Sequence, residues 1–169
     1  IPISLAVYLG MRMSEILGLR FEDIRRGKAY IHGAIVRTAE GVVYKDYTKN
    51  ITSTRVVALP PVLLAKIQAL NGAPDEHIVK LTHSQIEKRF TKLLINEQLP
   101  HYRFHDLRHA NASIMLRLNI PTKYQMARGG WATDSTLKTV YQHTMADYET
   151  EIDSQIYNFI DGLKAECDT

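Results

Sequence analysis

Residues 29–60, AYIHGAIVRTAEGVVYKDYTKNITSTRVVALP, decide the fold class. β-branched and aromatic residues crowd the runs AYIHGAIV, GVVYKDYT and TRVVALP, and the intervening TAEG and KNITS are turn-like. The pattern predicts three short antiparallel strands, closed off by Pro60 and Pro61. Upstream, residues 3–19 (ISLAVYLGMRMSEILGL) space apolar groups helically and predict one or two buried helical segments. Downstream, PVLLAKIQAL reads as a helix with Pro61 in its first turn, and Gly72–Asp75 as a loop. Thr82 or Ser84 caps a helix through QIEKRFTKLLINEQ that Pro100 breaks. Further helices are expected from about Phe104 to Leu118 and from about Tyr124, either side of Pro121. The GGWATDST loop then leads, with Thr133 or Ser135 as cap, into a helix carrying Tyr141. A mostly helical chain with one small sheet is an α+β domain.

The 169 residues suffice for one domain with a real core. A single cysteine, Cys167, excludes a disulfide framework and a cysteine zinc site. No apolar run reaches membrane-spanning length and no leader is recognisable, so a soluble, cytoplasmic protein is expected. The start within an apolar helical segment, without a polar lead-in, suggests a fragment of a longer protein. Charge is unevenly placed. Seven of the 18 acids but one of the 21 lysines and arginines lie from Asp147 onward, leaving 20 bases against 11 acids before it. A basic body suits a polyanionic partner, and the acidic tail a different task.

Four local features carry chemistry. Arg12 and Glu15 lie three apart in an apolar helical setting, where a carboxylate can orient a guanidinium. HDLRHA puts His105 and Arg108 one turn apart, a combination that neutralises an oxyanion while a proton moves. Lys49 falls just after the second expected strand, at a hairpin tip from which a long cation can reach a bound strand. Trp131 and Tyr141 are separated by one loop-to-helix passage. A tyrosine phenol, with pKa about 10, needs a strongly cationic site to act as a nucleophile. Each feature is commonplace alone. Together they supply two arginines, a lysine, a histidine, an indole donor and a tyrosine, without paired carboxylates, a metal-ligand cluster or a glycine-rich phosphate loop. That inventory suits phosphodiester chemistry with neither metal nor other cofactor, the cations stabilising a phosphorane and a tyrosine holding the covalent intermediate.

The order and spacing of GMRMSEILGLRFEDI, YTKNITSTRVVALP, FHDLRHANASIML and GGWATDSTLKTVYQH resemble the tyrosine recombinases, the phage-type integrases. The resemblance runs from about Ile3 to Met145 and implies the helical DNA breaking-rejoining fold with a small three-stranded antiparallel sheet. It implies that Arg12 and Arg108 grip the scissile phosphate, with Glu15 supporting Arg12. Lys49 would protonate the departing 5′-oxygen, His105 accept the tyrosine proton, Trp131 donate a hydrogen bond to the phosphate, and Tyr141 form a 3′-phosphotyrosyl bond. For the lysine, Lys45 is the alternative. Counting back from Leu59–Pro60 on the TK-N-x-x-S-x-R pattern selects Lys49 and leaves Arg55 as a backbone contact or strand charge. Where many relatives carry leucine before a Gly-His pair, this chain reads ARGG, so packing around Gly129 is expected to differ.

The resemblance further implies double-stranded DNA and other protomers of a recombinase tetramer as partners, and N-terminal DNA-binding domains that these residues do not contain. Residues 1–146 are expected to form the catalytic domain and 147–169 its acidic C-terminal helix or tail. Ile152, Ile156, Phe159, Ile160 and Leu163 give that tail an apolar stripe, suited to its own domain or to a neighbouring protomer. The function implied is site-specific recombination for a phage or mobile element. The rivals are relaxation by a type IB topoisomerase and a catalytically silent DNA-binding relative.

Overall fold

Pro2 opens helix α1 (Pro2–Leu9) in its first turn, where its missing N–H costs nothing, and Gly10 ends it in the left-handed conformation (φ 64°). This break divides the apolar N-terminal segment into α1 and α2 (Met13–Gly18). The structure is a computed structural model and describes residues 1–39, 41–46, 54–135, 137–138, 153–154 and 157. The chain forms two compact units, Ile1–Asp134 and Ser135–Thr169.

Among the described residues of the first unit, five strands follow: β1 (Ile24–Arg25), β2 (Lys28–Ile31), β3 (Gly33–Thr38), β4 (Gly41–Asp46) and β5 (Arg55–Ala58). β1, β2 and β5 make a three-stranded antiparallel sheet, whereas β3 and β4 pair as a separate hairpin. The α+β class is as the sequence predicts, but the strands are distributed differently. AYIHGAIV does not run as one strand; it divides at His32, sending Ala29–Ile31 to one sheet and Gly33 onward to the other. At Gly33 a side chain would collide with the Tyr44 ring, so the glycine leaves room for that ring to lie across the hairpin. The short strand β1 comes from a tight turn at Arg26 and Gly27, both at positive φ, the geometry of a two-residue hairpin.

Four helices complete the first unit: α3 (Pro61–Gln68), α4 (His83–Asn96), α5 (Asp106–Arg117) and α6 (Thr122–Gly129). Thr82 is the cap of α4, accepting from the Gln85 backbone N–H at 3.3 Å while Gln85 returns the bond to the Thr82 N–H at 2.9 Å. The core gathers Leu5 and Leu9 of α1, Ile16 of α2, Ile31 of β2, Leu63 and Ile67 of α3, and Phe90 of α4, whose ring meets Phe104 edge-on at 5.5 Å. In the second unit the described residues Ser135, Leu137, Lys138, Asp153, Ser154 and Tyr157 are helical. Tyr141 and the expected apolar stripe of the tail (Ile152, Ile156, Phe159, Ile160 and Leu163) lie outside the described residues, as does Lys49. Among the described residues no helix is long and apolar enough to cross a membrane.

Candidate active site

The C-terminal end of α1 is where the site begins. Its last carbonyls have no intrahelical partner and carry the negative end of the helix dipole, so donors and cations collect there. Asn111 of α5 donates to the Val7 carbonyl at 2.7 Å, Arg128 of α6 to the Tyr8 carbonyl at 2.9 Å, and Arg108 Nη1 to the Gly10 carbonyl. A side chain at Gly10 would press on the buried Asn111 amide, so this approach depends on glycine twice over.

Arg108 is 2% exposed and pairs with no carboxylate among the described residues. The Trp131 ring lies under its guanidinium at 4.4 Å, and its Nη2 has no hydrogen-bond partner among the described residues. Burial, with the nearby charges of Arg12 and Arg55, draws its pKa down to about 9, against the opposing pull of Glu15. A buried cation with an unanswered donor is stabilised by an incoming anion more than by any group already present. Trp131 is itself buried. A Cβ at Gly129 would fall within its ring, which is the physical sense of ARGG in this chain: the glycine makes room for the indole.

Arg12 stands differently from its expected place on a helix. It is the residue before α2, in extended conformation, and Glu15 is the third residue of that helix. The Glu15 carboxylate accepts from the Arg12 backbone N–H at 2.9 Å and from Arg12 Nη1 at 2.8 Å, while Arg12 Nη2 donates to the Gly130 carbonyl at 3.1 Å. Glu15 is 2% exposed. Burial works against its charged form, but the hydrogen bonds and charges of Arg55 and Arg12 hold its pKa below the usual carboxylate range. Arg55, the first residue of β5, is the contributor that sequence reading missed. It donates Nη1 and Nη2 to the two Glu15 oxygens at 3.1 and 2.8 Å and Nε to the Arg128 carbonyl at 2.9 Å. Only the β-branched run after it signalled a buried face; its partner lies 40 positions away.

His105 precedes α5 in helical conformation, its ring edge-on to His109 at 4.9 Å. Burial first, then the charges of His109, Arg108 and Arg12, lower its pKa, so it stays a neutral proton acceptor at neutral pH. Next to it Asp106 takes the Arg103 backbone N–H at 2.8 Å and its guanidinium at 2.9 Å, closing the turn that enters α5. The structure thus brings Arg12, Glu15, Arg108 and Trp131 together, with His105 one turn from Arg108. Arg12, Arg108 and His105 lie near enough for their charges to act on one another.

Among solved structures, the Tn1549 transposon integrase in complex with transposon right end DNA superposes with a TM-score of 0.69 at 16% identity, covering 88% of this chain and 57% of that one. The XerA recombinase gives 0.65 at 17% identity over 90% of this chain and 53% of that one. These likenesses establish a tyrosine-recombinase catalytic fold. In sequence, the integrase of Staphylococcus phage L54a is 26% identical over 89% of this chain and 49% of that protein. The integrase of Mycobacterium phage FRAT1 is 27% identical over 90% of this chain and 50% of that protein. The chain therefore spans about half the length of the curated relatives it matches. The model of the phage integrase family matches residues 1–147, which include the whole of the segment that builds the arginine cluster, and the chain belongs to that family.

Proposed function

We propose that this chain is the catalytic part of a tyrosine site-specific recombinase, which cleaves and rejoins double-stranded DNA in the integration or excision of a phage or mobile element, in the cytoplasm of a bacterial cell. The observation that carries the reading is the buried Arg108 guanidinium, its Nη2 without a hydrogen-bond partner among the described residues, near an Arg12 already oriented by Glu15. In this reading both arginines hold the non-bridging oxygens of one phosphate and offset the charge that builds up as it becomes pentavalent. His105 accepts the phenolic proton of Tyr141, whose oxygen attacks phosphorus to give a 3′-phosphotyrosyl bond. Lys49 delivers a proton to the departing 5′-oxygen, and Trp131 contributes its indole donor. The 5′-hydroxyl of the partner strand reverses the attack and reseals the DNA. Residues 1–146 form the catalytic body, and 147–169 dock on a neighbouring protomer of a tetramer. The reading agrees with relatives that are phage integrases and with a fold shared by an integrase described in complex with DNA.

The test is covalent capture. A pool of nicked suicide duplexes with randomised cores is incubated with the chain in excess EDTA, and denatured protein is recovered with attached DNA. Attachment is expected for the wild type and none for Tyr141→Phe, which keeps DNA affinity. Attachment by Tyr141→Phe, or strict dependence on added magnesium, would refute the mechanism.

A further inference from the structure

Glu15 serves two arginines, and only one belongs to the phosphate grip. Its Oε1 accepts from Arg12 Nη1 at 2.8 Å and Arg55 Nη1 at 3.1 Å, and its Oε2 from the Arg12 backbone N–H at 2.9 Å and Arg55 Nη2 at 2.8 Å. Four donors take up the roughly four acceptor positions that a carboxylate offers. The Arg55 and Glu15 side chains are 5% and 2% exposed, whereas that of Arg12 is 38% exposed. Arg12 alone, near the surface on a flexible stem, would not hold a fixed angle. A carboxylate locked from the other side by a planar fork does hold it. The third donor of Arg55, Nε, binds the Arg128 carbonyl at 2.9 Å, two residues before the Gly130 carbonyl that takes Arg12 Nη2 at 3.1 Å. Two guanidiniums and one carboxylate thus close a loop joining the start of α2, the start of β5 and the turn that presents Trp131.

We propose that Arg55 is a positioning residue for DNA cleavage: through Glu15 it sets where the Arg12 guanidinium meets the scissile phosphate. The inference rests on reading the site as a phosphate grip. A lysine at position 55 keeps the positive charge beside Glu15 but loses the fork, and with it the angle.

The experiment compares wild type, Arg55→Lys, Arg12→Ala and Arg108→Ala on one suicide duplex captured by the wild type. The same duplex is then made with a methylphosphonate at the scissile position, each diastereomer separately. Replacing one non-bridging oxygen by methyl removes the negative charge that the arginines answer. Arg55→Lys is expected to melt near the wild type, to bind the duplex equally well, and to attach about 10- to 100-fold more slowly, the scale of a small misplacement of a reacting group. Its defect should shrink on the diastereomer that better rescues Arg12→Ala and persist on the other. No defect, or one equal on all three substrates, overturns the inference while leaving the grip intact. A wild type that attaches to no duplex overturns the grip and the inference with it. Should Arg55→Lys fail to fold, Glu15→Gln, Arg55→Gln and their double variant, which removes both charges of that buried pair together, complete the test. The double should attach no more slowly than Glu15→Gln, and an additive loss would show that Arg55 does not act through Glu15.

Discussion

Arg12 and Arg108 bring the same guanidinium to the same cluster and are held by opposite means. Arg108 is immobilised by burial: one carbonyl, one indole face, no direct carboxylate partner and a pKa drawn down to about 9. Arg12 is immobilised by tethers: a shared carboxylate on one side and the Gly130 carbonyl on the other, with its side chain still 38% exposed. A desolvated cation without a counter-charge interacts strongly with an arriving anion, because little dielectric screening lies between them. A tethered, half-exposed one interacts less strongly but costs less to maintain in the folded chain. One site therefore holds a strong, costly donor and a weaker, adjustable one.

That contrast breaks if the two arginines prove equivalent. Arg108→Ala is expected to slow covalent attachment about 10³-fold and Arg12→Ala about 10²-fold, the upper and lower ends of what one preorganised donor contributes. Rates measured on a single suicide duplex would decide it, and an equal or reversed order would remove the distinction between burial and tethering. Losing Arg108 also leaves the Gly10 carbonyl and the Trp131 ring without a partner and opens a cavity, so Arg108→Ala is expected to lower the melting temperature; an unchanged or higher one would show that the desolvated charge costs the fold more than those contacts return.

The support beneath Arg108 can be disturbed without touching a charge. Gly129→Ala puts a methyl where the Trp131 ring lies, and displacement of the ring is expected to cost about 1–3 kcal/mol of stability. As Trp131 is the sole tryptophan, its fluorescence should shift in parallel with the melting temperature. A shift in neither would mean that the ring tolerates the methyl and does not depend on that close approach.

Histidines extend the same comparison to protons. His105 is lowered, by burial first and then by cations; His32 is raised despite its partial burial, by Asp23 at 2.7 Å and Asp46 at 3.5 Å. Ring-proton titrations by NMR should place them on opposite sides of the ordinary value of 6.5. Covalent attachment should then fall only as the pH drops below 6.5 toward the lowered His105 value. The signs for stability are opposed. A raised pKa means that the folded state binds the proton more tightly, so the His32 contribution is complete below 6.5 and disappears as the pH rises through its folded value. His32→Gln should therefore cost more stability near pH 6 than near pH 9, the smallest effect foreseen.

How far the site was legible depends on how far apart its members lie. Arg12 with Glu15, and His105 with Arg108, are neighbours within one turn, and motif order pointed to them directly. Arg55 was read only as a backbone contact or strand charge, yet it makes both a backbone contact and a buried fork onto Glu15. The β-rich segment shows the same limit. Its strand character was plain from the β-branched residues, but its division at His32 between two sheets follows from pairing partners that composition does not name.

By itself the sequence determined the α+β class, the helix starts at Pro61 and at Thr82 or Ser84, the excess of basic charge before Asp147, and the order of motifs that places the chain among the phage integrases. These depend on local backbone preference and on counting, both carried by neighbouring residues. Only the tertiary structure decided that the C-terminal end of α1 gathers Asn111, Arg128 and Arg108, that Trp131 lies beneath one guanidinium, and that Glu15 joins two others. The reason is physical: buried carbonyls and charges must be satisfied by whichever groups the core brings within about 3 Å, and that choice is made by packing between distant segments rather than by the residues on either side.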